Sequence, residues 1–488
     1  MSTRLESGIR SRQAQHGAAL MIMVIVMVTG LTTLLVRSLS IVDIRNERQA
    51  KTSTALAQAK DALIGYAITY GDTHIGEVHG YLPCPDIDGK DISGNPAEGS
   101  AKANCGNKNV SQIGRLPWRT LNLAPLRDGD SECLWYAVSG TYKNNPQTGL
   151  MNWDNNGQFQ AYAADGTRLD SNNNQIVAVI FAPGMARDGQ NRNSSGAPIC
   201  GGNYNAPAYL DSNTTHGINN ASVSTVASAV SRFIQGENDG AVNERMVFIT
   251  RQELWNAMLK RSDFTQRLKD MTRVVAECLA SYGRNNNNPD NYSLPWPAPI
   301  SLSDYAVNDN YNDDDNRYAG RVPHQIYTSK IDSANDMSGY RLMTSGNGLN
   351  CPHYDATPSG ELERLYPWWN NWKDHLFYAL SEEYRPRIYD TGSCFGDCVW
   401  LRNNGHRYAA IVLFAGSALS GQDRASTSTG NTERGQLGKY LEGLNLSSYP
   451  NYGGDNEYEA GDPTSSFNDI LYCIDTGSSL DVEECPLL

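Results

Sequence analysis

The sequence predicts an α+β chain: a long N-terminal helix whose first half crosses a membrane, followed by two tandem copies of a helix-plus-antiparallel-sheet unit. Three observations carry this expectation. An apolar run extends from Ala18 to Val36, no proline occurs between Ala18 and Gly71, and blocks of residues recur in the same order in the two halves of the chain. The expected boundaries are a leader at 1–17, a transmembrane half-helix at 18–42, a first globular unit at 43–250 and a second at 251–488.

At a rise of about 1.5 Å per residue the apolar run covers roughly 28 Å, close to the hydrocarbon thickness of a bilayer. Its far side, Leu34-Leu35-Val36-Arg37, lacks the small-residue exit of a secretory signal. Arg4, Arg10 and Arg12 precede it, and the positive-inside bias then leaves the bulk of the chain outside the cytoplasm. Beyond the run, Leu56, Ala59, Leu63 and Tyr66 recur at helical spacing and Gly71 supplies a stop, so one helix runs on from the apolar segment.

Composition narrows the class. Charged residues make up only 19% and the formal charge is −13, which disfavours duplex DNA as a partner because phosphate binding needs a basic face. All 10 cysteines lie beyond the apolar run. An even count on the oxidising side argues for disulfides, although spacing does not settle the pairing. Local candidates are Cys84 with Cys105, Cys394 with Cys398, and Cys473 with Cys485. Zinc at Cys394 and Cys398 is the rival reading, but no second close Cys or His pair accompanies them.

The repeat is legible block by block. Tyr70-Gly71 followed by Leu82-Pro83-Cys84-Pro85 returns as Tyr282-Gly283 followed by Leu294-Pro295-Trp296-Pro297. Leu134 to Ser139 returns as Leu376 to Ser381, and the stretch ending Gly189-Gln190-Asn191-Arg192 returns as the one ending Gly421-Gln422-Asp423-Arg424. Phe233 to Gly236 matches Tyr440 to Gly443, and Asn243-Glu244 matches Asn468-Asp469. Ordered matches of this kind indicate two copies of one unit. Candidate strands are 134–142, 158–163, 176–182, 376–384 and 408–414, with Asn155-Asn156-Gly157 and Ala164-Asp165-Gly166 as turn signals. A second helix is expected from Arg251 to Ser281, followed by an Asn-rich linker at 285–288.

The basic leader, Gly17, the helix opening Ala18-Ala19-Leu20 and ending AKDALIGYAITYG, the LPCPD segment and the GQNR and GQDR blocks together resemble the pilin-like family of type IV pili and type II secretion pseudopili. The resemblance implies cleavage between Gly17 and Ala18 by a prepilin peptidase, insertion in the inner membrane as a single-pass protein, and helix-mediated assembly with other pilins or pseudopilins. It covers most of the first 250 residues and is weaker beyond. The family usually carries Glu at the fifth mature position, where this chain has Ile22. A filament-tip subunit, which has no neighbour above it, needs no such carboxylate, so the resemblance implies a minor pilin or pseudopilin at a tip. A tip adhesin and a membrane-anchored periplasmic assembly factor are the alternatives.

Chemistry is sparse. His74, Glu77 and His79 do not have the helical H-E-x-x-H spacing of a zinc site. Gly392 to Gly396 imitates a nucleophile elbow with Cys394 in place of Ser, but nearby Cys398 makes a disulfide the simpler reading. No nucleophile, base and orienting group stand together, so no catalytic residue is assigned and the chain is read as a non-enzyme. Asp304, Asp309, Asp313, Asp314 and Asp315 form the densest carboxylate cluster. Solvated loop is its default reading, with calcium at Asp309, Asp313 and Asp315 as the cofactor alternative. Trp368, Trp369 and Trp372, with Tyr366 and Tyr378, read as core or as a carbohydrate- or partner-binding patch.

Overall fold

The computed structural model describes residues 15–91, 93–170, 175–236, 242–284, 292–327, 340–343, 361–386, 398–422, 424, 433–448 and 456–487. Helix α1 (Gln15–Thr73) opens the fold. Its C-terminal half buries Thr52, Ala55, Leu56, Ala59, Leu63, Ala67 and Tyr70, a stripe at three- and four-residue spacing that packs on a sheet. From Ala55 to Leu63 alanines and leucines alternate with polar residues and no β-branched residue or glycine intervenes, which suits a continuous helix.

Six strands follow: β1 (Gln112–Arg115), β2 (Trp135–Val138), β3 (Phe159–Tyr162), β4 (Ile176–Ala182), β5 (Ser231–Ile234) and β6 (Arg245–Thr250). They form one sheet in which β1, β2, β4 and β6 are neighbours in that order, all antiparallel. Strand β4, Ile-Val-Ala-Val-Ile-Phe-Ala, is buried at every position because both faces are covered. Val177, Ala178 and Ile180 face the helix side, whereas Ile176, Val179 and Phe181 join a separate cluster with Tyr209 and Phe233.

After α2 (Arg251–Leu259) and α3 (Ser262–Arg284), the pattern returns with β7 (Ala319–Arg321), α4 (Glu361–Trp372), β8 (Leu376–Leu380), β9 (Val399–Leu401), β10 (Ala410–Phe414), β11 (Glu457–Tyr458), β12 (Ile470–Ile474) and β13 (Val482–Glu484). The second sheet runs β7-β8-β10-β12-β13, again antiparallel. Thus β7, β8, β10 and β12 hold the places of β1, β2, β4 and β6. Parallel pairing recurs as well, between β3 and β5 in the first half and between β9 and β11 in the second.

The Leu-Pro-x-Pro segments make the same contacts in both halves. The Leu82 N–H donates to the Tyr142 carbonyl and the Leu294 N–H to the Tyr384 carbonyl, each at 2.7 Å. The next turn of chain bridges Asp86 to Arg115 and Ala298 to Arg321. Both crossings depend on glycine. A Cβ at Gly114 would stand 2.7 Å from the Asp86 carbonyl oxygen, and one at Gly320 would stand 2.1 Å from that of Ala298. Main chain cannot yield as a flexible side chain does.

The expected fold class is overturned at its membrane-spanning helix. Among the described residues no helix is long and apolar enough to cross a membrane. The transmembrane half-helix at 18–42 and the single-pass inner-membrane location fall with that finding. The two halves share one continuous core, to which α1, α3, both sheets and α4 contribute, from Ala55 and Leu63 through Val275 and Leu279 to Trp372 and Ile474.

Smaller differences have local causes. The helix expected over 251–281 divides at Lys260 and Arg261, where the Arg261 side chain turns aside to Asp72 (2.8 Å) and Asp263 (2.6 Å). The strand expected over 134–142 ends at Val138 because the Tyr142 N–H donates to the Ser139 carbonyl in a turn. The Asn-rich linker at 285–288 lies outside the described residues.

Candidate functional site

Two features of the molecule are candidates for function, an exposed helical surface and a buried charged junction. On α1, Met21 to Val28 and Leu31 are 52 to 70% exposed. An apolar surface this continuous marks an interaction site, since single exposed apolar residues are ordinary but a contiguous patch is not. The same helix is tied to the body further on, where the Arg48 guanidinium meets Asp130 at 3.2 Å and the Thr52 hydroxyl accepts from the Gly129 N–H at 2.9 Å.

The junction joins the turn after β2 to the segment between α4 and β8. His375, fully buried, lies with Nδ1 3.0 Å from Asp374 and Nε2 3.1 Å from Asp154 of the other half. Trp153 Nε1 approaches the same Nε2 at 2.8 Å. Asn152 donates to Asp374 at 3.0 Å, and the Asn371 side chain accepts from the Met151 N–H at 2.7 Å. Burial alone lowers the imidazole pKa, but the carboxylates of Asp374 and Asp154 outweigh it and hold the pKa above the usual histidine value. Burial is the largest influence and raises the two carboxyl groups, but the charge of His375 together with Arg424 at Asp154 and Arg434 at Asp374 outweighs it, holding both below the ordinary range. In the neutral ring Nε2 accepts from Trp153; protonation turns that nitrogen into a donor to Asp154. The site can therefore hold a proton in either of two hydrogen-bond patterns.

Asp154, Asp374 and His375 are, among the described residues, the group of potential metal ligands whose donor atoms lie within 4.8 Å of one another. They do not suit a cation. The carboxylates address different ring nitrogens, and the buried Arg434 guanidinium, 3.5 Å from Asp374, already supplies positive charge. The arrangement is an ion-paired lock between the halves. Beside it opens a cleft of about 460 Å³ lined by Trp153, Asp154, Arg251, Trp255, Gln422 and Arg424.

The repeated Gln-x-Arg blocks form a matching clamp in each half. Arg192 donates to the Gly184 carbonyl (2.8 Å) and to Gln190 (2.8 Å) while its guanidinium lies 4.8 Å from the ring centre of Tyr209. Arg424 donates to the Gly416 carbonyl (2.6 Å) and to Gln422 (2.9 Å) over Tyr440 at 4.5 Å. Gln190 then reaches Asp211 (2.9 Å) and Gln422 reaches Glu442 (2.7 Å). Each of these acids adjoins a second buried one, Glu244 or Asp469. Burial and the neighbouring Asp211 push Glu244 up to about 8, and burial with Glu442 pushes Asp469 well above the carboxylate range.

The residues singled out in the sequence are dispersed. Cys84 is bonded to Cys105 and Cys473 to Cys485, with Cys133 bonded to Cys200. Cys398 is disulfide-bonded, and Cys394 lies outside the described residues. Gly17 and Ala18 lie in the first turn of α1, and Ile22 is 63% exposed. Residues 1–14 of the leader lie outside the described residues. Asp309 pairs with Gln325 and, at 3.4 Å, with Arg341; Asp313 accepts from the Tyr327 N–H; Asp315 is exposed. These carboxylates do not converge on a common point. Trp368, Trp369 and Trp372 are buried at 1 to 2% exposure, which makes them core. His79 is buried against Asp72 at 3.1 Å.

Sequence reasoning missed Asp154, Asp374 and His375. The one available signal is that Asp374-His375 directly precedes the repeated block beginning at Leu376, where the first copy has Cys133. Comparison with protein families, with curated proteins and with solved structures finds no match for this chain.

Proposed function

We propose that the chain is a structural subunit of a pilin-like filament in an oxidising compartment, docked to its neighbours through the N-terminal half of α1. The observation that carries this reading is the apolar surface from Met21 to Leu31, which projects from a helix whose other half is packed. Its occupants are the corresponding apolar helices of other pilin-like subunits, since helix faces of this kind associate by interdigitating side chains. Disulfides among Cys84, Cys105, Cys133, Cys200, Cys473 and Cys485 support the compartment.

Ile22 and the doubled globular bulk favour the tip over the shaft. A shaft subunit needs a carboxylate near its N-terminus to neutralise the terminal amine of the subunit above it, because an unpaired charge among apolar helices costs several kcal/mol. Ile22 supplies none. Cleavage after Gly17 by a prepilin peptidase then makes Ala18 the first residue of the assembled form.

Immunogold labelling of sheared filaments tests the assignment. Label at filament ends is the expected result, and label along the shaft or on no filament overturns it. The variant Val24→Asp, which charges the exposed face without touching the core, is expected to abolish the end label while leaving the melting temperature of the folded body unchanged. Intact-mass measurement reports the processing step, and a chain that retains residues 1–17 in filaments removes it from the proposal.

A further inference from the structure

The internal repeat exposes an asymmetry at the edges of the two sheets. In the second half, the outer edge of β12 is covered by β13, with Tyr472 opposite Glu484, Cys473 opposite Glu483 and Ile474 opposite Val482. The Cys485 N–H donates to the Leu471 carbonyl at 3.0 Å. Above the strand, α3 presents Lys269 to Glu484 at 2.6 Å, and Val482 packs against the main core. In the first half, β6 holds the place of β12, but among the described residues it pairs with β4 and with no strand on its outer side.

The matched positions can be named. The offset that relates Tyr70-Gly71 to Tyr282-Gly283 sets Leu56 and Ala57 of α1 against Leu268 and Lys269 of α3. The offset that relates Asn243-Glu244 to Asn468-Asp469 sets Met246, Val247 and Phe248 against Leu471, Tyr472 and Cys473. Between these α1 and β6 positions, where β13 would lie, runs a groove of about 310 Å³ lined by Leu56, Ala57, Lys60, Gln235, Met246 and Val247. Val247 and Phe248 are half-buried, whereas Tyr472 and Cys473 are buried beneath β13. By the alternation of a strand, Met246 and Phe248 turn their main-chain groups toward the groove, as Leu471 does toward Cys485.

We infer that the first sheet receives an added strand there: an extended segment of a partner polypeptide, antiparallel to β6, with an apolar residue and an acidic residue two positions on. Main-chain hydrogen bonds to the free edge supply affinity, and alternate side chains entering the groove supply selectivity. The groove carries Arg245 and Lys60, and Lys60 already meets Glu253 at 2.7 Å, so an acidic residue of the Val482-Glu483-Glu484 kind would join an existing ion pair there. The chain's own β13 is not the donor in solution, because the Cys473–Cys485 disulfide fastens it to β12. This inference does not rest on the filament reading, and the experiment below uses no filament.

A peptide with the sequence of residues 478–486, carrying Cys485→Ser, is titrated into the full-length, disulfide-intact protein. Binding with slowed hydrogen exchange at the Met246 and Phe248 amides is the expected result. N-methylation of the peptide nitrogen matching Glu483, which faces the edge, is expected to weaken binding at least about tenfold, while N-methylation at the position matching Glu484, which faces away, is tolerated. Absence of binding, protection elsewhere, or equal affinity of the two methylated peptides overturns the inference. So does self-association of the protein through β6 that the peptide does not displace.

Discussion

Four strands run in the same order in the two sheets and the same clamps recur, yet among the described residues one sheet has a strand over its edge and the other has none. The second half carries β13 and a disulfide to hold it; in the first, among the described residues, β6 has no strand paired on its outer side. An exposed strand edge is a liability that folded proteins usually blunt or cover. Its retention in one copy only shows that the copies have diverged in what they present to the outside, while the buried parts, Gln-x-Arg, the paired acids and the glycine crossings, have stayed alike. The copies are alike in their interiors and differ at the surface of the first half, where the exposed apolar stretch of α1 also lies.

Breaking the junction gives the largest expected effect. His375→Ala removes the imidazolium that Asp154 and Asp374 share and leaves Arg434 as the nearest cation to Asp374, and loss of one partner from a buried ion pair costs about 3–5 kcal/mol. Urea denaturation is expected to show a single transition at a lower midpoint with unchanged slope. Two separated transitions would mean that the halves are independent and that the comparison concerns two domains.

A pH series on Glu244→Gln sharpens the likeness of the clamps. Glu244 has a folded pKa of about 8 against an ordinary value of 4.5, so the folded state binds its proton more tightly than the unfolded state. The stability this contributes is fully present below about 4.5 and is lost as pH rises through 8. The variant is therefore expected to gain on the wild type between pH 5 and pH 8 by a few kcal/mol, each pKa unit being worth about 1.4 kcal/mol. Melting temperature against pH reads it, and parallel curves would refute it. Asp469→Asn is expected to behave alike in the second half.

The glycine crossings come next. Gly320→Ala and Gly114→Ala each force main chain apart, at about 1–3 kcal/mol, with Gly320 the costlier because its contact is closer. Equal or negligible losses in thermal denaturation would show that the Leu-Pro-x-Pro crossings are not rigid. The smallest effect is at the covered edge. Lys269 and Glu484 are a partly exposed pair, so Lys269→Ala is expected to cost under about 1 kcal/mol. Faster amide exchange confined to β13 would report it.

What was legible in the sequence follows from range. The blocks Leu-Pro-x-Pro, Gln-x-Arg and Asn-Glu or Asn-Asp were visible because each is local and appears twice, and they fall on crossings, clamps and paired acids. The candidate site was not. Asp154 and His375 are single residues in unlike surroundings, and nothing local marks a partner more than two hundred positions away. The tryptophans after Tyr366 had the spacing of either a patch or a core, and only the packing of Trp372 on Trp153, with ring centres 4.4 Å apart, decides for core. The apolar start of α1 was read as a membrane span because hydropathy reports what a segment avoids, not what covers it.

The lock at Asp154 also sets the order in which the molecule can mature. A carboxylate that is buried on folding must wait for its counter-charge, and here that charge is His375, which emerges from the ribosome long after the strands of the first sheet. Until then the first half has its disulfide-forming cysteines and its strands but no way to seal the turn at Asn152 to Asp154. Folding of this chain is therefore completed from its C-terminal side, after synthesis rather than during it, and any factor that guards the nascent protein has to protect an almost finished first sheet with its edge still open.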